Sequence, residues 1–298
     1  MRKEPIRHHY IPQFILRNFA CDDDRNLVYF CDKESRKISK RDIRELFMER
    51  NLYRDEINNI DKPVQIEHDL AAYEGEIAKL IKSKFLGGRK IELTPAEDSM
   101  LKLFFAIMSF RNIHAKEKFC ETLSKESKDI YKYYQKNEDF EDFWKRNLGH
   151  LVRCRSIQDV QRNTDIDPPI KYFMWRDTCW KYGRYVVVVE PKEGDGFILG
   201  DCYPIVFTGD PVSVPMYDVC PLSPNRAIII ASVGVDGTPR DVLKLRPGVF
   251  DCPEINEKGN SVIITKRLLL DEVQFINREI EKNSYKGFIF SKSGQKGF

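Results

Sequence analysis

Apolar residues recur at helical spacing through two long stretches of the first half of the chain, and in unbroken β-branched runs through the second half. Over residues 64–86, Ile66, Leu70, Tyr73, Ile77, Leu80, Ile81 and Phe85 make one stripe. That spacing predicts an amphipathic helix, stopped by Gly87-Gly88. Glu67 and Glu74 are seven positions apart and fall on nearly one line at the edge of the stripe, half turned toward the core. A second helix is predicted from Thr94-Pro95-Ala96-Glu97, where Thr as N-cap, Pro at the first position and Glu at the third form a capping box. From Met100 to Phe110 it is apolar nearly all round, so it runs through the middle of a bundle. Arg111 follows directly, where an arginine either snorkels outward or pairs with a buried carboxylate. A charged helical segment over residues 115–135 and a piece from Phe140 to Leu151 extend this half.

From about Ile170 the texture changes. Residues 184–189, 196–199, 204–207, 226–233 and 261–265 read as strands separated by Gly and Pro turns, as does the earlier stretch 26–31. A helix over 268–283 and a strand Gly287–Phe290 close the chain. The layout predicted is α+β: a helical N-terminal half packed on a mostly antiparallel C-terminal sheet with a terminal helix. At 298 residues the chain can bury a full core. It reads as a single domain 1–298 of two lobes, a mainly helical lobe 1–165 and a β-rich lobe 166–298 that carries the C-terminal helix.

The opening stretch, residues 8–20, sets two histidines, a glutamine, an arginine and an asparagine among apolar neighbours. Pro12 fixes its own φ and keeps the first half extended, while Phe14, Ile15, Leu16 and Phe19 fit one or two buried turns. An unpaired buried polar group costs about 1–3 kcal/mol, so these side chains belong to a polar structural lock or to a reaction site. In an extended chain His8 and His9 point to opposite faces, so at most one enters a given site.

Charge and cysteine content narrow the classes. Forty-nine basic against 46 acidic residues leave a net charge of +3, which gives no global push toward nucleic acid. Eight irregularly spaced cysteines without a Cys-x-x-Cys predict reduced thiols rather than disulfides or structural zinc. No apolar run approaches a membrane span and the first residues lack a secretory signal, so a cytoplasmic location is expected. There is no phosphate-binding Gly-rich loop, no Gly-x-Ser-x-Gly elbow and no His-Glu-x-x-His. Asp167 with Glu190-Pro191-Lys192 mimics a restriction-type nuclease pattern, but Pro191 would sit inside the catalytic pair. Trp144-Lys145-Arg146, Arg153, Arg155 and Tyr131, Tyr133 and Tyr134 could face RNA or DNA, although such a patch is more often a solvated helix face.

Asp201 stands where an apolar strand ends and Cys202-Tyr203-Pro204 turns the chain, a position that suits either a turn cap or a site. The opening "HHYIPQFILRNFA" resembles the signature of an uncharacterised microbial family, domain-of-unknown-function family 4238. The resemblance continues in order through "IEHDLAAYEGEIAKLI", "LTPAEDSMLKLFFAIMSFR", "GFILGDCYPIVF", "CPLSPNRAIII" and "VQFINREI". Leu199-Gly200 replace the Thr-Ser usual in that family, and Cys202-Tyr203 lengthen the spacing to Pro204 by one, so no role for a serine hydroxyl carries over. The family has no settled activity; the resemblance implies a set of positions, namely His9, Gln13, Glu74, Arg111, Asp201 and Asn277.

Polar residues from separate elements have little reason to meet except in a shared pocket. His9, Glu74, Arg111 and Asp201 are therefore expected to converge between the helical half and the sheet as the catalytic group, with Gln13, Asn18 and Asn277 in support. One reading is a phosphodiester-cleaving, nuclease-like effector of microbial defence with nucleic acid or a nucleotide as partner. In it His9 is general base or acid and Arg111 stabilises phosphoryl charge, while Asp201 and Glu74 orient His9 or hold a divalent metal. A second reading is a non-catalytic module that recognises a small anion or nucleotide, chiefly through Arg111. The third is a polar core that locks the two halves together.

Overall fold

The structure, a computed structural model, describes residues 4–21, 24–112, 138–178, 183–194, 196–208, 215–232, 245–246 and 248–291. The predicted segment 115–135, with Tyr131, Tyr133 and Tyr134, lies outside the described residues, as do Cys120 and Cys179.

The chain begins with strand β1 (Arg7–His9) and one short helical stretch α1 (Gln13–Arg17) after Pro12, whose φ of −56° and ψ of 133° hold the extended entry. Strands β2 (Leu27–Asp32), β3 (Ile38–Asp42) and β4 (Met48–Arg50) follow. Helix α2 (Gln65–Leu80) buries Ile66, Leu70, Tyr73, Ile77 and Leu80, the stripe read from the sequence, and passes into a single π turn at Ile81–Phe85. After β5 (Lys90–Leu93), helix α3 (Pro95–Arg111) opens on the predicted capping box: the Glu97 N–H donates to Thr94 Oγ1 at 3.3 Å and the Thr94 N–H to Glu97 Oε2 at 2.9 Å. Its unbroken apolar run is buried from Leu103 through Met108, because α3 has neighbours on every side. Helix α4 (Phe140–Leu151) is fastened to it by Trp144 Nε1, which donates to the Phe110 carbonyl at 3.0 Å. Two further helices, α5 (Ile157–Arg162) and α6 (Pro168–Thr178), complete the helical part.

The central sheet joins β6 (Arg184–Pro191), β8 (Ile205–Thr208), β9 (Pro215–Ser223), β10 (Arg226–Ser232) and β13 (Lys266–Leu268) in the order β13-β6-β10-β9-β8. All of its pairs are antiparallel except β13 with β6. Val186, Val188, Ile228 and Ile230 turn one face into the helical core. Val187, Val189, Ile229 and Ala231 turn the other face toward Val273, Ile276 and Ile280 of helix α7 (Leu270–Asn283) and Phe288 of β14 (Gly287–Phe290). A sheet covered on both faces has no polar side, so its strands read as continuous β-branched runs instead of alternating.

The smaller sheets link the two halves. β14 lies between β2 and the two-residue strand β7 (Leu199–Gly200), with Ile289 opposite both Phe30 and Leu199. β5 pairs with β12 (Ser261–Ile264), and β11 (Glu254–Ile255) flanks β12. The architecture is α+β, and among the described residues no helix is long and apolar enough to cross a membrane.

Two predicted elements differ. The strand expected over 196–199 shrinks to Leu199–Gly200, because Gly196 adopts φ +81° and Asn277 fills the ladder positions with its side chain. The closing helix starts at Leu270, since Leu268 is still paired with β6. The basic patch is ion-paired: Lys145 with Glu141, Arg146 with Glu138 and Asp167, Arg153 with Asp69, and Arg155 with Glu76. Asp167 and Glu190 take separate partners, Glu190 binding Arg226 and Arg267. Cys21, Cys31, Cys154, Cys202, Cys220 and Cys252 are free thiols.

The bend at Gly196 is a sensitive point of this packing. A Cβ there would sit 2.2 Å from the Pro224 carbonyl oxygen, on a backbone that L side chains rarely adopt. Gly196→Ala is expected to cost about 2–4 kcal/mol, read as a lower denaturant midpoint with an unchanged m-value.

Candidate functional site

Arg111 is the last residue of α3 and is wholly buried. Its guanidinium reaches three acceptors on two other elements. Nη1 donates to Glu74 Oε1 of α2 at 2.7 Å, Nη2 to the His9 carbonyl at 3.1 Å, and Nε to the Tyr10 carbonyl at 3.4 Å. It also lies 5.7 Å from the Tyr53 ring centre, and the Tyr53 hydroxyl donates back to the Arg111 carbonyl at 3.4 Å. A planar fork suits this arrangement because its donors diverge to separate acceptors, which a lysine ammonium could not match. The opening segment is thereby tied to both long helices.

The two histidines part as an extended strand requires. His8 turns inward, stacks on Tyr53 with ring centres 5.6 Å apart, accepts the Tyr53 N–H on Nδ1 at 2.9 Å and donates from Nε2 to the Pro5 carbonyl. His9 lies on the other face. Its Nε2 donates to the Ile43 carbonyl at 3.2 Å, which leaves Nδ1 to accept from Gln13 Nε2 at 3.3 Å. Gln13 Oε1 in turn accepts from Arg17 Nη2 at 2.8 Å. Burial pushes His9 down to about 4, and the guanidinium groups of Arg111, Arg17 and Arg7 push the same way. His9 is therefore a neutral ring held in one tautomer at neutral pH.

The carboxyl groups move in the opposite direction. Glu67 and Glu74 lie two turns apart on one side of α2, and both feel the charge of the same buried guanidinium. Desolvation pushes Glu67 up to about 7; Arg111 opposes the shift and Glu74 adds to it. Glu74 is raised by desolvation too, against the pull of its ion pair with Arg111. With its carboxyl held near 7, Glu67 exchanges a proton close to neutrality. Glu74 keeps 21% side-chain exposure, and Gln13 and Glu67 are half-buried, so the cluster reaches solvent along this edge.

The other expected members have different work. Asp201 is fully buried and accepts the N–H groups of Tyr285 and Lys286 at 2.7 and 2.6 Å, fixing the turn that delivers β14. It adjoins the cluster through Asn112, which donates to its carbonyl at 3.2 Å. Asn18 Nδ2 donates to the Leu222 carbonyl at 2.8 Å and ties α1 to β9. Asn277 bonds the Gly196 carbonyl and the Ile198 N–H beneath α7. His9, Gln13, Glu74 and Arg111 thus come together, whereas the polar groups of Asp201, Asn18 and Asn277 are directed to backbone elsewhere. Glu67 joins the cluster although only its spacing from Glu74 signalled it. Among the described residues no three His, Cys, Asp or Glu side chains group so as to hold a metal ion.

Residues 7–295 match the model of a family described as protein of unknown function (DUF4238). No curated protein and no solved structure matches the chain.

The raised Glu67 carboxyl has a consequence for stability. Below its ordinary value of 4.5 the group is protonated folded or unfolded, and above about 7 it is ionised in both. Between these limits the folded state holds the extra proton, so stability falls as pH rises. Glu67→Gln is expected to stabilise the protein at pH 8 by about 1–3 kcal/mol, a gain that fades toward pH 5. Thermal melts of both proteins across this range measure the difference.

Proposed function

The chain belongs to the DUF4238 family, and we propose that it is a phosphodiester-cleaving, nuclease-like hydrolase whose proton transfer is carried by the Glu67–Glu74 pair. The observation that carries this reading is the raised carboxyl of Glu67, half-buried within electrostatic range of the Arg111–Glu74 ion pair where the cluster reaches solvent. A carboxyl held near 7 is a poised general base and acid at physiological pH. Arg111 bonds Glu74 and fixes its position; Glu67 exchanges the proton. In the step proposed, Glu67 takes a proton from the attacking water as the new O–P bond forms. It then returns that proton to the alkoxide released when the scissile P–O bond breaks.

This assignment moves proton transfer away from His9. A ring pushed to about 4, with both nitrogens bonded within the protein, is a poor base at neutral pH; it serves to orient Gln13 and the edge of the cluster. Phosphoryl charge likewise falls to other groups, because Arg111 spends its donors on Glu74 and two carbonyls.

That same internal engagement favours a second reading, a non-catalytic module that binds a small anion or nucleotide at the edge of a rigid lock. The two differ in what becomes of the ligand. With labelled single-stranded RNA, DNA and a chromogenic phosphodiester as probes, hydrolysis is expected. Its rate should rise through a limb near pH 7 and fall by about a hundredfold or more in Glu67→Gln at undiminished melting temperature. Equal turnover by Glu67→Gln would remove the acid–base assignment, and a stabilising ligand recovered intact would favour the binding module.

A further inference from the structure

β1 and β4 form a two-stranded ribbon in which Arg7 lies directly opposite Arg50 and His9 opposite Met48. Cross-strand partners share a face, and so do alternate residues of one strand. Arg7, Arg50 and His9 therefore stand on one side of the ribbon, while His8 and Glu49 stand on the other. Both arginines are exposed, and among the described residues neither side chain has an ion-pair or hydrogen-bond partner. Asp42 lies within electrostatic range of Arg7 but is already gripped by Arg44. Like charges set directly opposite each other oppose strand pairing, so this register costs stability unless something negative bridges them.

A third guanidinium reaches the same place by a different route. Arg17 projects from the end of α1 and is linked to His9 through Gln13, by bonds of 2.8 and 3.3 Å. The charged groups acting on the His9 ring are Arg111, Arg17 and Arg7, all cationic. Of these, Arg111 is neutralised by Glu74, whereas Arg7 and Arg17 point their charge outward.

The ribbon is also held stiffly. Phe47 and Asn51, the residues that flank β4, both take left-handed backbone conformations, with φ of 51° and 55°. A bulky residue such as Phe47 adopts that conformation only where its surroundings impose it, and such strain gathers at functional sites. On the other strand the carbonyl of His9 is anchored by Arg111. Opposed cations on a fixed ribbon are preorganised for a ligand rather than free to splay apart.

We propose that Arg7, Arg50 and Arg17 form a phosphate-binding rim beside His9, which takes the phosphate groups of the substrate that the Glu67–Glu74 pair cleaves. The inference rests on that reading of the site and names what it lacked: the cations that hold substrate charge once Arg111 is committed to the fold. Phosphate presented by a free nucleotide or by a single-stranded nucleic acid has the same chemistry at such a rim, and chain length separates the two.

The test is fluorescence anisotropy with an end-labelled single-stranded RNA of about ten nucleotides, competed by inorganic phosphate, by a mononucleotide and by unlabelled RNA. The paired charge reversal Arg7→Glu with Arg50→Glu should weaken binding at least about tenfold and flatten the salt dependence by about two units of slope. The melting temperature should stay close to that of the wild type, since one exposed like-charge pair replaces another. Stronger competition by the RNA than by the mononucleotide assigns the rim to a strand; the reverse assigns it to a nucleotide. Unchanged affinity and salt slope in the double variant overturn the proposal, as does the absence of salt-dependent binding to any of the probes. Anisotropy on Glu67→Gln keeps the two readings apart. If that protein binds like the wild type, depends on Arg7 and Arg50, and still turns over substrate, the rim stands and the acid–base assignment falls. If Glu67→Gln is inactive while the arginine variant binds normally, the reverse holds.

Discussion

One buried guanidinium organises the molecule. Burying a charge costs several kcal/mol unless partners surround it, and Arg111 meets that condition by drawing Glu74 and the carbonyls of His9 and Tyr10 around itself. The three acceptors belong to α2 and to the opening segment, so satisfying one side chain fixes the relative positions of three parts of the chain. Tyr53 closes the arrangement from the open side of the guanidinium and also receives the stacked ring of His8. A short strand such as β1 could not hold itself on a two-stranded ribbon in water. Tertiary anchorage makes it rigid enough to present His9.

The same device recurs where the ladder of a sheet runs out. Asp201 accepts two successive N–H groups ahead of β14, and Asn277 stands in for a neighbouring strand beside Gly196 and Ile198. Both are fully or nearly buried, where an unpaired backbone group would cost about 1–3 kcal/mol. Such residues look functional in a sequence because they are polar and surrounded by apolar neighbours, yet their chemistry is consumed by the backbone.

The arginines divide by the same criterion. Arg111 and Arg184 are buried against carboxylates, Glu74 and Asp218, and hold elements together. Arg7 and Arg50 stay in solvent at a place where their charges oppose each other. Buried pairs tie elements of the fold together; the exposed, opposed pair is the one to which we assign the proposed phosphate rim. Between the two groups lie Glu67 and Glu74, whose carboxyls are pushed upward by desolvation against the pull of a single nearby cation.

Local periodicity determined a good deal of this from the sequence alone. The α2 stripe, the capping box and apolar run of α3, the two-faced strands and the seven-residue interval from Glu67 to Glu74 all depend on neighbours along the chain, which the order of residues displays directly. For Arg111, beside Phe104 and Met108, the sequence narrowed the choice to snorkelling outward or pairing with a buried carboxylate, and the fold chose the carboxylate. Tertiary structure alone decided the rest: the pairing of β1 with β4, the insertion of β14 between β2 and β7, and the assignment of Asp201 and Asn277 to backbone rather than to the cluster. These depend on contacts between residues far apart in sequence, where polarity announces that a side chain needs partners but not which groups the fold will bring to it.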